Sequence, residues 1–342
     1  MSGCVMGKFV LLLLLAACAV VAQAEPPVRI RLSLDWHFQG QTAFVEKARR
    51  KGYFAQEGLE VSIDAGNGAV GAIQRVVSGA YDAAIGDMTA LIELGARLPD
   101  APPAKAVYAL YDALPFAFMT LKGSGITSIR DLSGRRVIDT AGGSGPTILG
   151  QVARYEGADA DAVRWVMVAP PMHAQAFASR AGDAVYGFVT IRLELEALGI
   201  APDDIIALPI PRSAADYYGN ALIVSSRLIR DHPEAVRGLV RAFNQAFREA
   251  MASPEESLSY LAQRDPLIDP KLELRRLKTL RPYMVTDESR LTGLGHFDRH
   301  RIERQIDQVL AAREKPPARR PAFGQIVDAR FLPPLPARLP ME

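Results

Sequence analysis

The stretches RLSLDWHFQGQT (residues 31–42) and RRKGYFAQEGLEVSIDAGNGAVGAIQRVVSGAYDAAIGDM (residues 49–88) decide the fold. Apolar runs at 30–34 and 59–63 are typical of buried strands, and amphipathic segments at 42–50 and 69–78 are typical of the helices that follow them. This β-α-β-α order predicts the α/β class, with a mostly parallel sheet covered by helices.

Each predicted strand in this stretch is followed by a loop that is polar or rich in glycine. A third short apolar run at 83–85 ends in the same way. In open α/β sheets, ligands bind beyond the carboxyl ends of the strands, so we predict that these loops meet along one rim. The candidate binding residues in them are Asp35, Trp36, Phe38, Gln39, Asn67, Gly68, Asp87 and Met88.

Three motifs in the same stretch carry a family resemblance: KGYF at 51–54, EGL at 57–59 and SGAYD at 78–82. They resemble the opening of periplasmic solute-binding proteins of ABC importers, in the branch that binds nitrate, sulfonates, taurine and thiamine precursors (pyrimidines). The resemblance implies a two-lobed periplasmic binding protein fold of type II. Each lobe would hold a mostly parallel sheet flanked by helices, and the ligand cleft would lie between the lobes.

Later segments extend this resemblance and set the expected limits of the lobes. LPFAFMTL at 114–121 resembles the family's crossing strand, and YYGNALIV at 217–224 resembles its returning strand. We therefore expect lobe I at 25–113 and 218–332, lobe II at 114–217, and a loose, proline-rich C-terminal tail at 333–342.

The second half of the chain adds candidates at predicted strand ends and helix starts. These are Tyr111, Gly142, Gly143, Ser144, Thr147, Met172, Thr190, Tyr218 and Asn220. The loop at 142–147 opens a helix near Pro146, and the free N–H groups of a helix N-terminus attract anions. The structural alternative is a glycine-rich connection capped by Ser144.

The residue types leave two ligand classes open. Asp35 and Asp87 favour N–H donors on the ligand, as a nitrogen heterocycle carries, whereas the loop at 142–147 favours an organic sulfonate or carboxylate. No arginine lies at a clear strand end to bind such an anion bidentately. A planar solute is favoured by the aromatic candidates Trp36, Phe38, Tyr108, Tyr111 and Tyr218.

Composition and motifs exclude several other functions. A net charge of +2 on 342 residues gives no indication of nucleic-acid binding. The chain has no HExxH, no CxxC and no hydrolase elbow, so we expect no catalysis, no cofactor and no metal. A GxGxxG sequence at 66–71 lies in the second βα step rather than the first, which argues against a dinucleotide site.

The N-terminal 24 residues have the pattern of a cleavable secretory signal. Lys8 precedes an apolar run at 9–21, and Ala22-Gln23-Ala24 is a small-x-small cleavage motif. The alternative is the lipobox-like LAAC at 15–18, which would place a lipid anchor on Cys18. We expect cleavage after Ala24 and a periplasmic location.

The resemblance also implies a mechanism and partners. A monomer would capture a small solute by hinge closure and deliver it to a membrane permease with its ATPase. A secreted receptor that feeds a sensor rather than a transporter is the alternative.

Overall fold

The computed structural model describes residues 26–98, 100, 102–141, 143–311 and 319–341. The strands are β1 (Val28–Ser33), β2 (Leu59–Asp64), β3 (Ala83–Asp87), β4 (Ala104–Ala109), β5 (Phe116–Leu121), β6 (Arg136–Thr140), β7 (Arg164–Val168), β8 (Ala184–Phe188), β9 (Ile205–Pro209) and β10 (Asn220–Ser225). The helices are α1 (Ala43–Arg50), α2 (Tyr53–Gln56), α3 (Ala69–Val77), α4 (Met88–Arg97), α5 (Gly145–Glu156), α6 (His173–Ala178), α7 (Ile191–Ala197), α8 (Ser226–Asp231), α9 (Pro233–Ala252), α10 (Pro254–Arg264), α11 (Pro270–Met284), α12 (Asp287–Thr292), α13 (Arg299–Ala311), α14 (Phe323–Ile326) and α15 (Leu335–Arg338). Short 3₁₀ helices lie at Gly40–Thr42, Ile129–Leu132, Pro170–Met172, Pro202–Asp204 and Ala329–Phe331.

The first sheet contains five strands in the order β2-β1-β3-β10-β4. β1 pairs in parallel with β2 and β3, whereas β10 is antiparallel to β3 and β4. Four strands therefore point in one direction, and β10 runs back because the chain enters it from the other sheet. We call this sheet and its helices lobe I.

The second sheet repeats this plan, with the order β7-β6-β8-β5-β9. β6 is parallel to β7 and β8, and β5 is antiparallel to β8 and β9. We call this sheet and its helices lobe II. The predicted α/β fold with two mostly parallel sheets is confirmed, while the exact residue limits of the lobes stay predictions.

The reversed strand of each sheet begins at the edge where its neighbouring strands end. Asn220, at the start of β10, lies opposite Asp87, at the end of β3. Phe116, at the start of β5, lies opposite Phe188, at the end of β8. An antiparallel strand begins where its neighbours end, so these residues join the carboxyl-end loops that bind ligands in α/β sheets.

The core of lobe I is closed by packing of α1 and α9. The Phe44 ring meets the rings of Phe243 and Phe247 edge to face, with centroids 4.7 and 5.2 Å away. All three rings are fully buried, and burial of one such side chain stabilises a fold by about 1.5–3 kcal/mol. This packing makes lobe I a firm support for the rim residues at the ends of its strands.

The C-terminal residues are packed, which differs from the loose tail expected from their proline content. Arg338 in α15 is buried and donates hydrogen bonds to the carbonyl oxygens of Thr292, Leu294 and Pro333. A buried guanidinium needs such partners. The expectation missed this anchor because proline content does not show where an arginine side chain will find carbonyl groups.

In the described part of the chain, no helix has both the length and the apolar character needed to cross a bilayer. The signal segment at 1–24, including Cys18, lies outside the described residues.

Candidate ligand site between the lobes

A cavity of about 520 Å³ lies between the two lobes. Of the residues predicted from the sequence, the structure brings together at this cavity Asp35, Trp36, Gln39, Asn67, Gly68, Asp87, Gly143, Ser144, Thr190 and Asn220. The predicted rim of lobe I and part of the predicted loop of lobe II thus face one space.

Three acceptor groups of lobe I form the polar centre of the cavity. Asn220 Nδ2 donates to Asp35 Oδ2 at 2.6 Å, and Asp87 Oδ1 accepts the Ala90 N–H at 2.8 Å, which caps α4. Asp35 Oδ1, Asp87 Oδ2 and Asn220 Oδ1 are buried, and none has a hydrogen-bond partner among the described residues. A buried acceptor left unpaired costs about 1–3 kcal/mol, so this group is suited to a ligand with several donors.

Burial also changes the acidity of these carboxyl groups. It raises the pKa of Asp35 from 3.8 to about 6 and that of Asp87 from 3.8 to about 6. Removal from water penalises the charged form, and the nearby carboxyl groups of Glu93 and Asp35 raise the pKa of Asp87 further. Both groups are mainly ionised above pH 7, so the polar centre is negative at neutral pH.

An aromatic surface from lobe II lies beside this polar centre. The rings of Phe116 and Tyr186 are stacked, with centroids 5.1 Å apart and an interplanar angle of 7°. Phe188 meets Phe116 edge to face at 4.5 Å. Trp36 lines the same cavity from lobe I and is half-buried. Flat rings of this kind favour a planar ligand, since aromatic groups prefer stacked or edge-to-face contacts.

The Gly66-Asn67-Gly68 loop is fixed to the first strand's loop by its backbone. The Gly66 N–H donates to Trp36 O at 2.9 Å, and the Gly68 N–H donates to Asp35 O at 2.8 Å. A Cβ atom on Gly66 would collide with the carbonyl groups of Leu34 and Asp35. The close approach of two turns therefore explains the glycine at position 66, and the loop holds Asp35 and Trp36 in place.

The N-terminus of α3 supplies backbone donors to the cavity. Ala69, Val70 and Gly71 line it, and the N-cap residue Gly68 provides no side-chain cap. The first N–H groups of a helix have no partner within the helix. They can therefore receive an acceptor atom of a ligand, such as a ring nitrogen or a carbonyl oxygen.

The N-terminus of α5, the predicted anion site, is already covered by a carboxyl group. Asp139 Oδ2 accepts the Gly145 N–H at 2.9 Å, and Asp139 Oδ1 accepts the Thr140 N–H at 2.6 Å. Burial raises the pKa of Asp139 to about 7. Ser144 does not cap the helix; its hydroxyl lies 3.2 Å from the Tyr186 hydroxyl. This loop is therefore a poor place for a second negative group.

Several predicted residues lie outside the cavity. These are Phe38, Met88, Tyr111, Thr147, Met172 and Tyr218, while Gly142 is outside the described residues. Met88 is fully buried in the core, and Met172 is about half exposed. The Phe38 ring lies under the Arg264 guanidinium at 3.9 Å. The Tyr218 hydroxyl accepts the Asp298 N–H at 2.8 Å, which fixes Tyr218 in the core.

Tyr111 and Thr147 lie close to the cavity and support it indirectly. The buried Tyr111 ring packs edge to face on Phe188, which lines the cavity, with centroids 5.5 Å apart. Thr147 Oγ1 of α5 donates to Glu93 Oε1 of α4 at 2.9 Å, so it joins lobe II to lobe I. A second connection between the lobes is the ion pair of Arg275 in α11 with Glu196 in α7, at 2.7 Å.

The structure adds lining residues that the sequence did not single out as ligand contacts: Gln41, Glu93, Phe116, Asp139, His173, Tyr186, Phe188 and Glu194. Burial lowers the pKa of His173 to about 4, so its ring is neutral at pH 7. Its Nε2 atom has no partner within the described residues. The signal for Phe116 was available, because an antiparallel strand must begin at the rim.

The two five-stranded sheets with their helices have the periplasmic-binding-protein fold. Residues 39–257 match the family described as NMT1/THI5 like, and the chain belongs to this family. The match spans more than half of the chain. The resemblance to solute-binding proteins of ABC importers, deduced from the motifs at 51–82, is confirmed.

Named relatives and solved structures agree with this assignment. The chain is 27% identical over 290 residues to the riboflavin-binding protein RibY of Chloroflexus aurantiacus, covering 82% of this chain and 80% of the relative. It is 24% identical over 250 residues to the 4-amino-5-hydroxymethyl-2-methylpyrimidine phosphate synthase of Legionella pneumophila, covering 72% and 77%. The alkanesulfonate-binding protein SsuA of Xanthomonas axonopodis pv. citri, solved with MOPS, is similar in fold, with a TM-score of 0.67, 15% identity, and coverage of 90% and 98%.

Proposed function

We propose that this protein is the substrate-binding component of an ABC importer, and that it captures a planar nitrogen heterocycle in the cleft between its lobes. The observation that carries the proposal is the group of three buried acceptors, on Asp35, Asp87 and Asn220, beside the stacked rings of Phe116 and Tyr186. The unpaired acceptors favour a ligand with donors, and an aromatic lining favours a flat one.

The names of the two relatives support this ligand class. Riboflavin and an aminopyrimidine are both flat rings with nitrogen atoms, and both carry N–H or O–H donors. The cavity of about 520 Å³ falls in the usual range for small-molecule sites, about 300–1,000 Å³. Ring acceptors of such a ligand would face the N–H groups of α3, and its donors would face the carboxyl groups.

Hinge closure is the mechanism that we infer. A ligand held by Asp35 and Trp36 of lobe I and by Tyr186 of lobe II has more contacts when the lobes are together. It stabilises the closed form by its difference in affinity for the two forms. The closed form would then dock on a permease.

We place the protein in the periplasm, after cleavage following Ala24. The fold and the family support this location. The lining residues do not favour an organic sulfonate or carboxylate, because the described part of the cavity presents no lysine or arginine.

The test is a thermal-shift screen, followed by calorimetric titration, of purified protein with planar heterocycles, sulfonates and carboxylates. The proposal expects heterocycles alone to raise the melting temperature, because binding to the folded state stabilises it. Asp35→Asn should weaken the binding of a heterocycle at least tenfold. Glu60→Gln, which removes an exposed carboxyl group on β2, is the matched control and should bind normally.

Two outcomes would contradict the proposal. One is preferential binding of sulfonates or carboxylates by a folded protein. The other is conversion of the bound heterocycle, which is detected by recovering it after incubation and comparing its mass with that of the starting compound.

Impaired uptake of the heterocycle by cells that lack the gene would support import over a role in sensing.

A further inference from the structure

We propose that the cleft sorts its ligands by charge: it takes a neutral or cationic heterocycle that carries N–H or O–H donors, and it excludes the anionic form of the same compound, such as its phosphate ester. This inference rests on the proposed function and narrows it. A binding protein of this selectivity would import the free base or vitamin and leave its phosphorylated form outside.

The first observation is that the charged side chains lining the cavity are acidic. Its acidic lining residues are Asp35, Asp87, Glu93, Asp139 and Glu194. Among the described lining residues there is no lysine or arginine, and burial keeps the single histidine, His173, neutral at pH 7. Sites that bind phosphate or sulfonate normally use Arg or Lys side chains.

Two basic side chains that contact neighbours of the cavity lining already have partners. Arg276 pairs with Glu273 at 3.2 Å and with Glu194 at 3.5 Å. Arg75 donates to Ser33 Oγ and to the Ala65 carbonyl oxygen. An incoming anion would have to break one of these contacts to gain a positive partner.

The second observation is the polarity of the buried side-chain atoms without partners. Six such atoms belong to described residues that line the cavity. Four of them, Asp35 Oδ1, Gln41 Oε1, Asp87 Oδ2 and Asn220 Oδ1, accept hydrogen bonds and cannot donate them when the acids are ionised; the other two are Thr89 Oγ1 and His173 Nε2. Asp35, Gln41, Asp87 and Asn220 are each less than one-tenth exposed. Phosphate oxygens would face acceptors there, whereas N–H and O–H groups would be satisfied.

The helix termini do not reverse this balance. The N-terminus of α5 is covered by Asp139, which accepts the Gly145 N–H. Within the described lining, uncapped N–H groups occur at the start of α3, at Ala69–Gly71. They also occur at the start of the short helix α7, where Thr190 and Ile191 line the cavity and no side chain caps the helix. A helix N-terminus is equivalent to about half a positive charge. Against these helix termini stand the carboxyl groups of Asp35 and Asp87. Their pKa values of about 6 leave both mainly ionised at pH 7.5, so repulsion of an anion prevails.

The test compares matched pairs that differ only by a phosphate group. The probes are riboflavin with flavin mononucleotide, and 4-amino-5-hydroxymethyl-2-methylpyrimidine with its phosphate, titrated into the mature protein at pH 7.5. For a pair whose parent compound binds, we expect the phosphate to bind at least a hundredfold more weakly. The double variant Asp35→Asn, Asp87→Asn should reduce this ratio at least tenfold, and Glu60→Gln should keep it.

The outcomes separate this inference from the proposed function. A phosphate ester that binds as tightly as its parent overturns the charge selection and leaves a heterocycle-binding protein. Failure of both parent compounds, together with every other heterocycle of the thermal-shift screen, overturns the proposed function and this inference with it. The ratio measured on the unaltered protein decides the question even if the double variant does not fold.

Discussion

The Asn220 Nδ2 group donates a hydrogen bond of 2.6 Å to Asp35 Oδ2, and so joins two residues that are 185 positions apart in the chain. Asn220 reaches this place because β10 runs against its neighbours and begins at the cleft. The bond fixes the Asp35 carboxyl group and leaves its Oδ1 atom for a ligand. It also connects the first strand of lobe I with the strand by which the chain returns from lobe II.

Loss of this bond should weaken ligand binding. We expect Asn220→Ala to lower affinity at least tenfold, since Asp35 loses its orienting partner and the cavity loses one acceptor. Ligand-free stability should fall by about 1–3 kcal/mol, measured by urea unfolding. Asn244→Ala is a matched control, because Asn244 is a buried amide that bonds Tyr108 and Ala337 away from the cleft. It should lose stability but not affinity; equal loss of affinity in both variants would contradict this role of Asn220.

Trp36 is expected to contribute a flat face to ligand binding. Trp36→Ala should weaken binding at least tenfold, about 1.4 kcal/mol, with little change in the circular dichroism spectrum. Trp36→Phe keeps an aromatic ring and should retain most of the affinity. An unchanged affinity for the alanine variant would show that Trp36 serves only to fill the space beside the Gly66–Gly68 turn.

Asp87 should make the ligand-free protein less stable as the pH rises. Its pKa is about 6 in the folded chain against an ordinary value of 3.8, so between these values the folded state holds more protons. Stability therefore falls as pH rises through this window, by up to roughly 3 kcal/mol. Asp87→Asn keeps the cap on α4 and removes the charge. We expect it to melt higher than the unaltered protein at pH 7.5 and close to it at pH 4; a lower melting temperature at pH 7.5 would contradict the buried-charge explanation.

The fold was largely predictable because its periodicity and motifs act locally. Apolar runs at 30–34 and 59–63 correspond to β1 and β2, and the segments at 42–50 and 69–78 contain α1 and α3. Strand ends then predicted which loops meet, which placed Asp35, Asp87 and Asn220 at one cavity.

The limits of prediction are clearest for aromatic residues. Tyr218 and Tyr186 both lie near strand ends, yet Tyr218 is fixed in the core by Asp298 and Tyr186 lines the cavity. Only the packing of other elements distinguishes them. Asp139 shows a second limit. Its carboxyl group lies near the end of β6 and accepts the N–H of Gly145 at the start of α5. The sequence alone does not distinguish such a carboxyl group from one that is available to a ligand.

The hydrogen bond from Thr147 to Glu93 should stabilise the closed arrangement of the two lobes, and Thr147 itself should not contact the ligand. Thr147→Val removes the hydroxyl that donates to Glu93 across the lobes and keeps the side-chain shape. A hydrogen bond to a charged group contributes about 1.5–3 kcal/mol, so affinity should fall about tenfold or more while each lobe stays folded. Small-angle scattering of the ligand-free variant should show a larger radius of gyration than that of the unaltered protein. Thr127→Val is a control, since Thr127 bonds Asp131 within lobe II; an identical effect there would remove the special role of Thr147.

The bound ligand can be identified by native mass spectrometry of the mature protein purified from cells, followed by mild denaturation and identification of any released compound. We expect a planar nitrogen heterocycle without a phosphate, sulfonate or carboxylate group, bound at one molecule per chain. Release of an organic sulfonate or carboxylate at the same ratio would contradict this expectation.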